Sequence, residues 1–268
     1  MMQIDNPRIG VTERGDAGRS QAWAAKVENG LTDLAILITK CVSQPFIDNV
    51  IRLHNAGHRL IVHCGCTGHG GTVIEPGSPT PELQLLSLKM LLDAGFPKDR
   101  CVLRIDPIVP YGYGLDAMRT VLDMADEILG LDGLRVRISV IDDYRHVKAR
   151  FAAAGLQPIY PGNRFYATPE QFKAVADVCA EYPAVTFETC AEETLAGPNI
   201  IRRGCVSDFD LGLCGIVRTK DAYLNPQNRS GCMCLSGKFD LLEVKHPCAS
   251  RCLYCYWRDP AAQAAPRA

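Results

Sequence analysis

Short runs of aliphatic and β-branched residues alternate along the chain with segments whose apolar residues recur at helical spacing. The apolar runs predict seven strands: Ile9–Thr12, Leu34–Thr39, Arg59–His63, Cys101–Ile105, Arg135–Ile141, Ala184–Glu188 and Phe239–Val244. Helical periodicity between most of them predicts five helices: Trp23–Gly30, Phe46–Ala56, Pro81–Ala94, Leu115–Leu129 and Pro169–Glu181. Because strands that alternate with helices are joined by right-handed crossovers, this order indicates an α/β fold with a mostly parallel sheet.

The number of strands favours a single full or partial β/α barrel over an open doubly wound sheet. Neither a GxGxxG nor a GxxxxGK[ST] pattern follows a predicted strand, so a dinucleotide-binding or P-loop fold loses its main support. The chain has 268 residues, of which 47% are hydrophobic, enough to bury one large core. We therefore expect one domain over residues 1–259, followed by a disordered, alanine- and proline-rich tail over residues 260–268.

Charge and hydropathy exclude some partners. The formal net charge is −1, so no strongly basic field exists to attract duplex DNA. The first residues lack an apolar segment of signal-peptide length, and no run approaches the roughly 18 apolar residues that a membrane span requires. We expect a cytoplasmic protein with no membrane partner.

The chain contains thirteen cysteines, an odd number that does not suit a disulfide framework. In a reducing compartment, clustered thiols are more often metal ligands or catalytic groups. The spacing of the cysteines therefore decides which of them carry function.

Polar side chains lie in or directly after the last positions of several predicted strands. In parallel barrels the active site lies at the carboxyl ends of the strands, so these side chains are expected around one cavity. The candidates for cofactor and substrate contacts are Glu13, Arg14, Arg104, Asp106, Asp142 and Glu188.

The most specific motif is Cys248-Ala-Ser-Arg-Cys252-Leu-Tyr-Cys255, which follows the last predicted strand. Three thiolates in one short loop can bind three irons of a 4Fe–4S cluster and leave the fourth iron open to another ligand. A structural zinc site is the alternative, since thiolates also bind zinc tetrahedrally. Zinc sites more often use paired CxxC units with a fourth ligand close by, so the spacing favours the cluster.

The CxxxCxxC spacing, with an aromatic residue before the last cysteine, resembles the radical S-adenosylmethionine (SAM) superfamily. The longer block NPQNRSGCMCLSGKFDLLEVKHPCASRCLYCYW, from residue 225, is similar to a little-characterised radical SAM family related to spore photoproduct lyases. That family typically has histidine where this chain has Ser250. Upstream, the blocks beginning at Arg104, Ser139 and Thr189 also resemble it, and the one at Thr12 does so more loosely.

The resemblance implies a circularly permuted barrel, since the cluster loop here follows the last strand and not the first. Phe239–Val244 would then lie parallel beside Ile9–Thr12. The resemblance also implies that Tyr254 lies where the adenine of SAM packs, and that Glu13 and Arg14 lie near its amino group. The expected catalytic set is Cys248, Cys252 and Cys255, with SAM and a reductant such as flavodoxin or ferredoxin as partners.

Further cysteines predict a second metal centre. Cys232 and Cys234, together with Cys190 and Cys205, occupy positions that the resembled family also fills with cysteine, and they are expected to bind an auxiliary Fe–S cluster or a zinc ion. Cys64 and Cys66, flanked by His63 and His69, form a rival set. Free cysteines are also common as small core residues, as expected for Cys101 and Cys179.

The predicted function is therefore a radical SAM enzyme (a lyase, an isomerase or another carbon-radical catalyst) that abstracts hydrogen from its substrate. Relatedness to spore photoproduct lyases suggests a modified pyrimidine nucleobase, free or in DNA, as that substrate. A peptide or a small metabolite is the alternative substrate. The alternative function, without catalysis, is that of a zinc-stabilised binding module. For DNA, a basic rim is expected from Arg145, Lys148, Arg150, Arg202, Arg203, Arg218 and Lys220.

Overall fold

The computed structural model describes residues 1–220, 231–242, 248–256 and 258. Within them the strands are β1 Met2–Ile4, β2 Ile9–Val11, β3 Leu34–Thr39, β4 Leu60–Gly65, β5 Cys101–Ile108, β6 Arg135–Val140, β7 Phe187–Thr189, β8 Ile200–Arg202, β9 Ile216–Arg218 and β10 Lys238–Asp240. The α-helices are α1 Ala22–Glu28, α2 Gln44–Asn55, α3 Pro81–Asp93, α4 Tyr113–Leu129, α5 Arg145–Ala153, α6 Pro169–Ala180 and α7 Asp208–Leu213. Short 3-10 turns occur at Lys98–Arg100 and Pro161–Asn163.

Eight strands form one parallel sheet in the order β10-β2-β3-β4-β5-β6-β7-β8, which confirms the predicted α/β class. The predicted pairing of the last strand with the first is also confirmed, because Phe239 of β10 lies opposite Gly10 of β2 in a parallel register. Strands β1 and β9 form a separate two-stranded parallel sheet. In the described residues, β8 and β10 are therefore the two edges of the large sheet.

The two faces of the large sheet differ in chemistry, because successive side chains of a strand point to opposite faces. One face packs against the helices through an apolar core that includes Val62, Leu103 and Val136. The other face begins with apolar residues, such as Ile61 and Val102, that pack against α7 and its neighbours. Further along the strands this second face becomes polar, with His63, Arg104, Asp106, Arg135, Arg137, Ser139 and Glu188.

Three strands and two α-helices were not predicted from the sequence: β1, β8, β9, α5 and α7. Strand β8 and helix α7 are too short to show a period. Helix α5 buries only Val147 and Phe151, a single narrow stripe among basic residues, so its hydrophobic pattern is weak. The basic residues 145–150, expected on a loop, therefore lie on a helix.

Several predictions fall on positions outside the described residues. These are the NPQNR block at 225–229, the end of the strand predicted for Phe239–Val244, and the tail 260–268.

Candidate functional site

The C-terminal loop carries Cys248, Cys252 and Cys255, and none of the three forms a disulfide. Cys252 is buried, whereas the other two are half-buried. Burial raises the pKa of the Cys252 thiol to about 12, although the nearby Lys40 opposes this rise. Because the thiolate is the form that binds a metal, a metal bound here would displace the proton of Cys252.

The segment that follows β4 holds this loop through its backbone. The Gly77 N–H donates to the Ser250 carbonyl over 3.1 Å, and the Leu253 N–H donates to the Ile74 carbonyl over 2.9 Å. Glycine is required at position 77, because a Cβ there would lie 1.8 Å from the Ala249 carbonyl oxygen. The loop and the segment after β4 therefore fit together as one unit.

Helix α5 provides a second support for the loop. Arg150 Nη1 donates to the carbonyls of Leu253 and Cys255, over 2.6 and 3.0 Å. Because Arg150 binds two carbonyls on either side of Tyr254, it fixes the backbone between the second and third cysteines.

A buried ion pair lies beside the loop. Lys40, directly after β3, donates to Glu75 Oε1 over 3.0 Å, and the hydroxyls of Thr67 and Tyr254 donate to the same oxygen. The Lys40 ammonium also lies 5.5 Å from the centroid of the Tyr254 ring. Glu75 thus ties the C-terminal loop to the ends of β3 and β4.

Electrostatics keep both members of this pair charged. Burial opposes ionisation of Glu75, but Lys40 and the two hydroxyls lower its pKa below the ordinary value. Burial also opposes the charge on Lys40, but Glu75 and Cys252 raise its pKa. The result is a fixed positive charge next to a cysteine of the loop. Lys40 and Glu75 were not identified from the sequence.

A second charged cluster occupies the polar face of the sheet. Glu188 of β7 is buried, binds Arg135 Nε over 2.9 Å and Arg137 Nη2 over 2.5 Å, and also pairs with Arg203. Asp210 of α7 binds Arg135 over 2.9 Å. Glu188 was predicted to contact a cofactor or substrate, and the structure places it among these arginines.

The other predicted contact residues lie in different settings. Arg104 pairs with Asp106 at the end of β5. Glu13 accepts from Lys238 Nζ over 2.5 Å, and Arg14 is exposed, with its backbone N–H donating to Asp240. Asp142 follows β6, and the Tyr254 hydroxyl binds Glu75. Contact of these residues with a cofactor stays a prediction.

Three cysteines from distant segments converge near the ends of β7 and β8. The thiols of Cys190, Cys205 and Cys234 lie within 4.8 Å of one another and could hold a metal ion. The Sγ atoms of Cys190 and Cys234 are 3.8 Å apart, and the Cys205 N–H donates to Cys234 Sγ over 3.2 Å. Three of the four predicted residues are thus brought together, whereas Cys232 is not a member of this group.

The proton distribution within the group is uneven. Hydrogen bonds with the Cys205 and Cys234 thiols lower the pKa of Cys190, whereas hydrogen bonds with Cys190 and Cys205 raise the pKa of Cys234. The rival pair behaves differently, because burial raises the pKa values of both Cys64 and Cys66. The Cys64 side chain belongs to the apolar core on the helix-covered side of the sheet.

Comparison with known proteins gives the family. Residues 11–257 match the profile of a domain of unknown function, DUF1848, and the chain belongs to that family. No curated protein matches the chain. In the part of the chain that the structure describes, no helix has the length and apolar character needed to cross a membrane.

Proposed function

We propose that this protein is a radical SAM enzyme whose 4Fe–4S cluster is bound by Cys248, Cys252 and Cys255. The observation that carries the proposal is the position of this CxxxCxxC loop. It follows the strand that pairs with β2, and it packs against the buried Lys40–Glu75 pair. In the same proposal the eight-stranded sheet is a permuted radical SAM barrel.

The donor set fits a cluster better than a single ion. Three thiolates bonded to one ion lie close together, as those of Cys190, Cys205 and Cys234 do. Among the described residues, the three C-terminal thiols do not form a group of that kind, and thiolates bonded to different irons of a cube are farther apart. When bound, the cluster would supply the electron that cleaves SAM to a 5′-deoxyadenosyl radical, which abstracts hydrogen from the substrate.

The protein's own residues position the loop and balance its charge. Lys40 offsets the negative charge that the three thiolates acquire when they bind a metal. Glu75 holds Lys40 and Tyr254 at once, which orients the backbone between Cys252 and Cys255. Arg104, Asp106 and Glu13 are the polar groups at strand ends that we assign to SAM or substrate contacts.

The contacts of the basic rim favour a small substrate over DNA. Lys148 pairs with Asp143, Arg202 with Glu193, Arg203 with Glu188, Arg218 with Asp208 and Lys220 with Asp5. Cations that already have acidic partners contribute less to phosphate binding, which depends on neutralising phosphate charge. We therefore propose a free modified pyrimidine nucleobase, or a similar small ring compound, as the substrate.

The test is anaerobic incubation of the reconstituted protein with SAM and dithionite, followed by detection of 5′-deoxyadenosine. We expect the wild type and Cys179→Ala, a change at a core cysteine of α6, to form this product. We expect Cys252→Ala to form none. Product formation by Cys252→Ala at the wild-type rate would refute the assignment.

A further inference from the structure

The segment after β8 and the segment before β10 meet where the three cysteines converge. Cys190 follows β7 and Cys205 follows β8, the last two strands in the sheet order, whereas Cys234 lies four residues before β10, the strand at the other edge. The backbones run close together here, since the Leu235 N–H donates to the Val206 carbonyl over 2.9 Å. The cysteines therefore lie at the seam between the first and last strands of the sheet order.

The distance between the Cys190 and Cys234 sulfurs excludes a disulfide and is compatible with two thiolates bound to one metal ion. At 3.8 Å, Cys190 Sγ and Cys234 Sγ are too far apart for a disulfide, in which the sulfurs are about 2.05 Å apart. Two thiolates on one tetrahedral zinc ion, each about 2.3 Å from the metal, are about 3.8 Å apart. The Cys190–Cys234 separation therefore matches the edge of a zinc–thiolate tetrahedron, and all three thiols lie within 4.8 Å of one another.

The charges around the group favour bound thiolates. Arg137 lies next to the group, because its Nη2 donates over 3.2 Å to the carbonyl of Gly204, the residue before Cys205. Arg137 is 1% exposed, and its Nε and Nη1 have no hydrogen-bond partner within the described residues. Three thiolates on a divalent ion carry a net charge of −1, which the unpartnered N–H groups of Arg137 would partly offset.

We propose that Cys190, Cys205 and Cys234 bind a single zinc ion that links the two edges of the sheet. Cys232 is the candidate for the fourth ligand, because it lies two residues from Cys234 and packs against the same apolar cluster as Cys190, Cys205 and Cys234. The ion would join the segments after β7 and β8 to the segment that enters β10, and so fix the strand from which the C-terminal loop extends. This inference does not depend on the function proposed for that loop.

The direct test is zinc or cobalt loading of the full chain under anaerobic conditions. We expect one ion per chain, with the charge-transfer and ligand-field bands of tetrahedral cobalt–thiolate coordination. We expect Cys205→Ser and Cys234→Ser to lose the ion, and Cys179→Ser and Cys252→Ala to retain it. Retention by Cys234→Ser, or loss in Cys179→Ser alone, would overturn the assignment.

A second test uses the wild type and so does not require the variants to fold. The protein is alkylated with iodoacetamide with and without bound zinc, and each cysteine is followed by peptide mass spectrometry. We expect zinc to protect Cys190, Cys205 and Cys234, and chelation to expose them. Equal alkylation in both states, or inorganic sulfide at this site, would overturn the proposal.

Discussion

The two thiol groups of this protein are built in opposite ways. The C-terminal group comes from eight consecutive residues, 248–255, and depends on the segment after β4 and on Arg150 for its position. The seam group, Cys190, Cys205 and Cys234, comes from three separate segments, and two of its sulfurs lie 3.8 Å apart. The first is a local loop that the fold supports, and the second is a contact that only the fold creates.

This difference suggests different roles. A short loop that supplies three thiolates does not connect distant parts of the chain. It can leave one coordination position of the metal centre open to a substrate or cofactor. Ligands drawn from both edges of a sheet restrain the chain, so their main effect is on stability. If the roles are separate, a change at one thiol group should leave the metal of the other group in place.

The largest effect is expected when a ligand of either group is removed. Cys255→Ala should lose the iron and the SAM-cleaving activity and retain the zinc, whereas Cys234→Ser should lose the zinc and retain the iron. Metal analysis of both proteins, purified and reconstituted in parallel, checks this. Loss of both metals in both variants would show that the two groups are one site.

Zinc removal should lower the stability of the whole fold. Cys190 and Cys234 are 44 residues apart, and a cross-link that closes a loop of this length stabilises a protein by about 4 kcal/mol. We expect chelation to lower the free energy of unfolding of the wild type by this order, as measured by denaturant titration. The zinc-free Cys234→Ser variant is the control and should not respond to the chelator.

Changing Glu75 should weaken the C-terminal site without removing a ligand. Glu75→Gln keeps the shape but leaves Lys40 without its charge partner. Because changes to groups that orient metal ligands typically cost 10–100-fold, we expect SAM cleavage to fall by about that factor. The exposed Glu127→Gln on α4 is the matched control. The zinc content should stay the same, and an unchanged cleavage rate would remove Glu75 from the positioning role.

A smaller effect is expected from pH. Burial lowers the pKa of His63 well below its ordinary value of 6.5, and Arg137 and Arg104 lower it further. Below pH 6.5 the unfolded chain gains a proton that the folded chain does not, so the free energy of unfolding falls by about 1.4 kcal/mol per pH unit. This loss continues until the pH reaches the folded pKa.

Urea titrations between pH 7 and pH 5 measure this slope. We expect His63→Gln to reduce it and His58→Gln, in the loop before β4, to leave it as in the wild type. An identical slope in the wild type and His63→Gln would contradict this account of His63.

The sequence predicted features that depend on local pattern. Alternating strands and helices predicted the parallel sheet, and the placement of Phe239 beside Gly10 follows from the permuted order. The Lys40–Glu75 pair could not be predicted, because its members are 35 residues apart and neither belongs to a motif. Such a contact depends on how two loops pack.

The position of Glu188 among arginines could have been predicted from the sequence of β6. Arg135 and Arg137 alternate with valine in a buried strand, so both point to the same face of the sheet. Two buried guanidinium groups require an acidic partner, and Glu188 on the neighbouring strand supplies it. The sequence also predicted Cys190, Cys205 and Cys234 as ligands of one metal centre. It could not show that Cys232 lies outside this group of three, because that depends on three-dimensional packing.

The central claim is that the C-terminal loop binds a 4Fe–4S cluster with one iron open to SAM. The most direct measurement is the electron paramagnetic resonance spectrum of the dithionite-reduced protein, recorded with and without SAM. We predict the signal of a reduced 4Fe–4S cluster that changes when SAM is added, in the wild type and in the zinc-free Cys234→Ser variant. A protein without this signal, or with a signal that SAM leaves unchanged, would contradict the account.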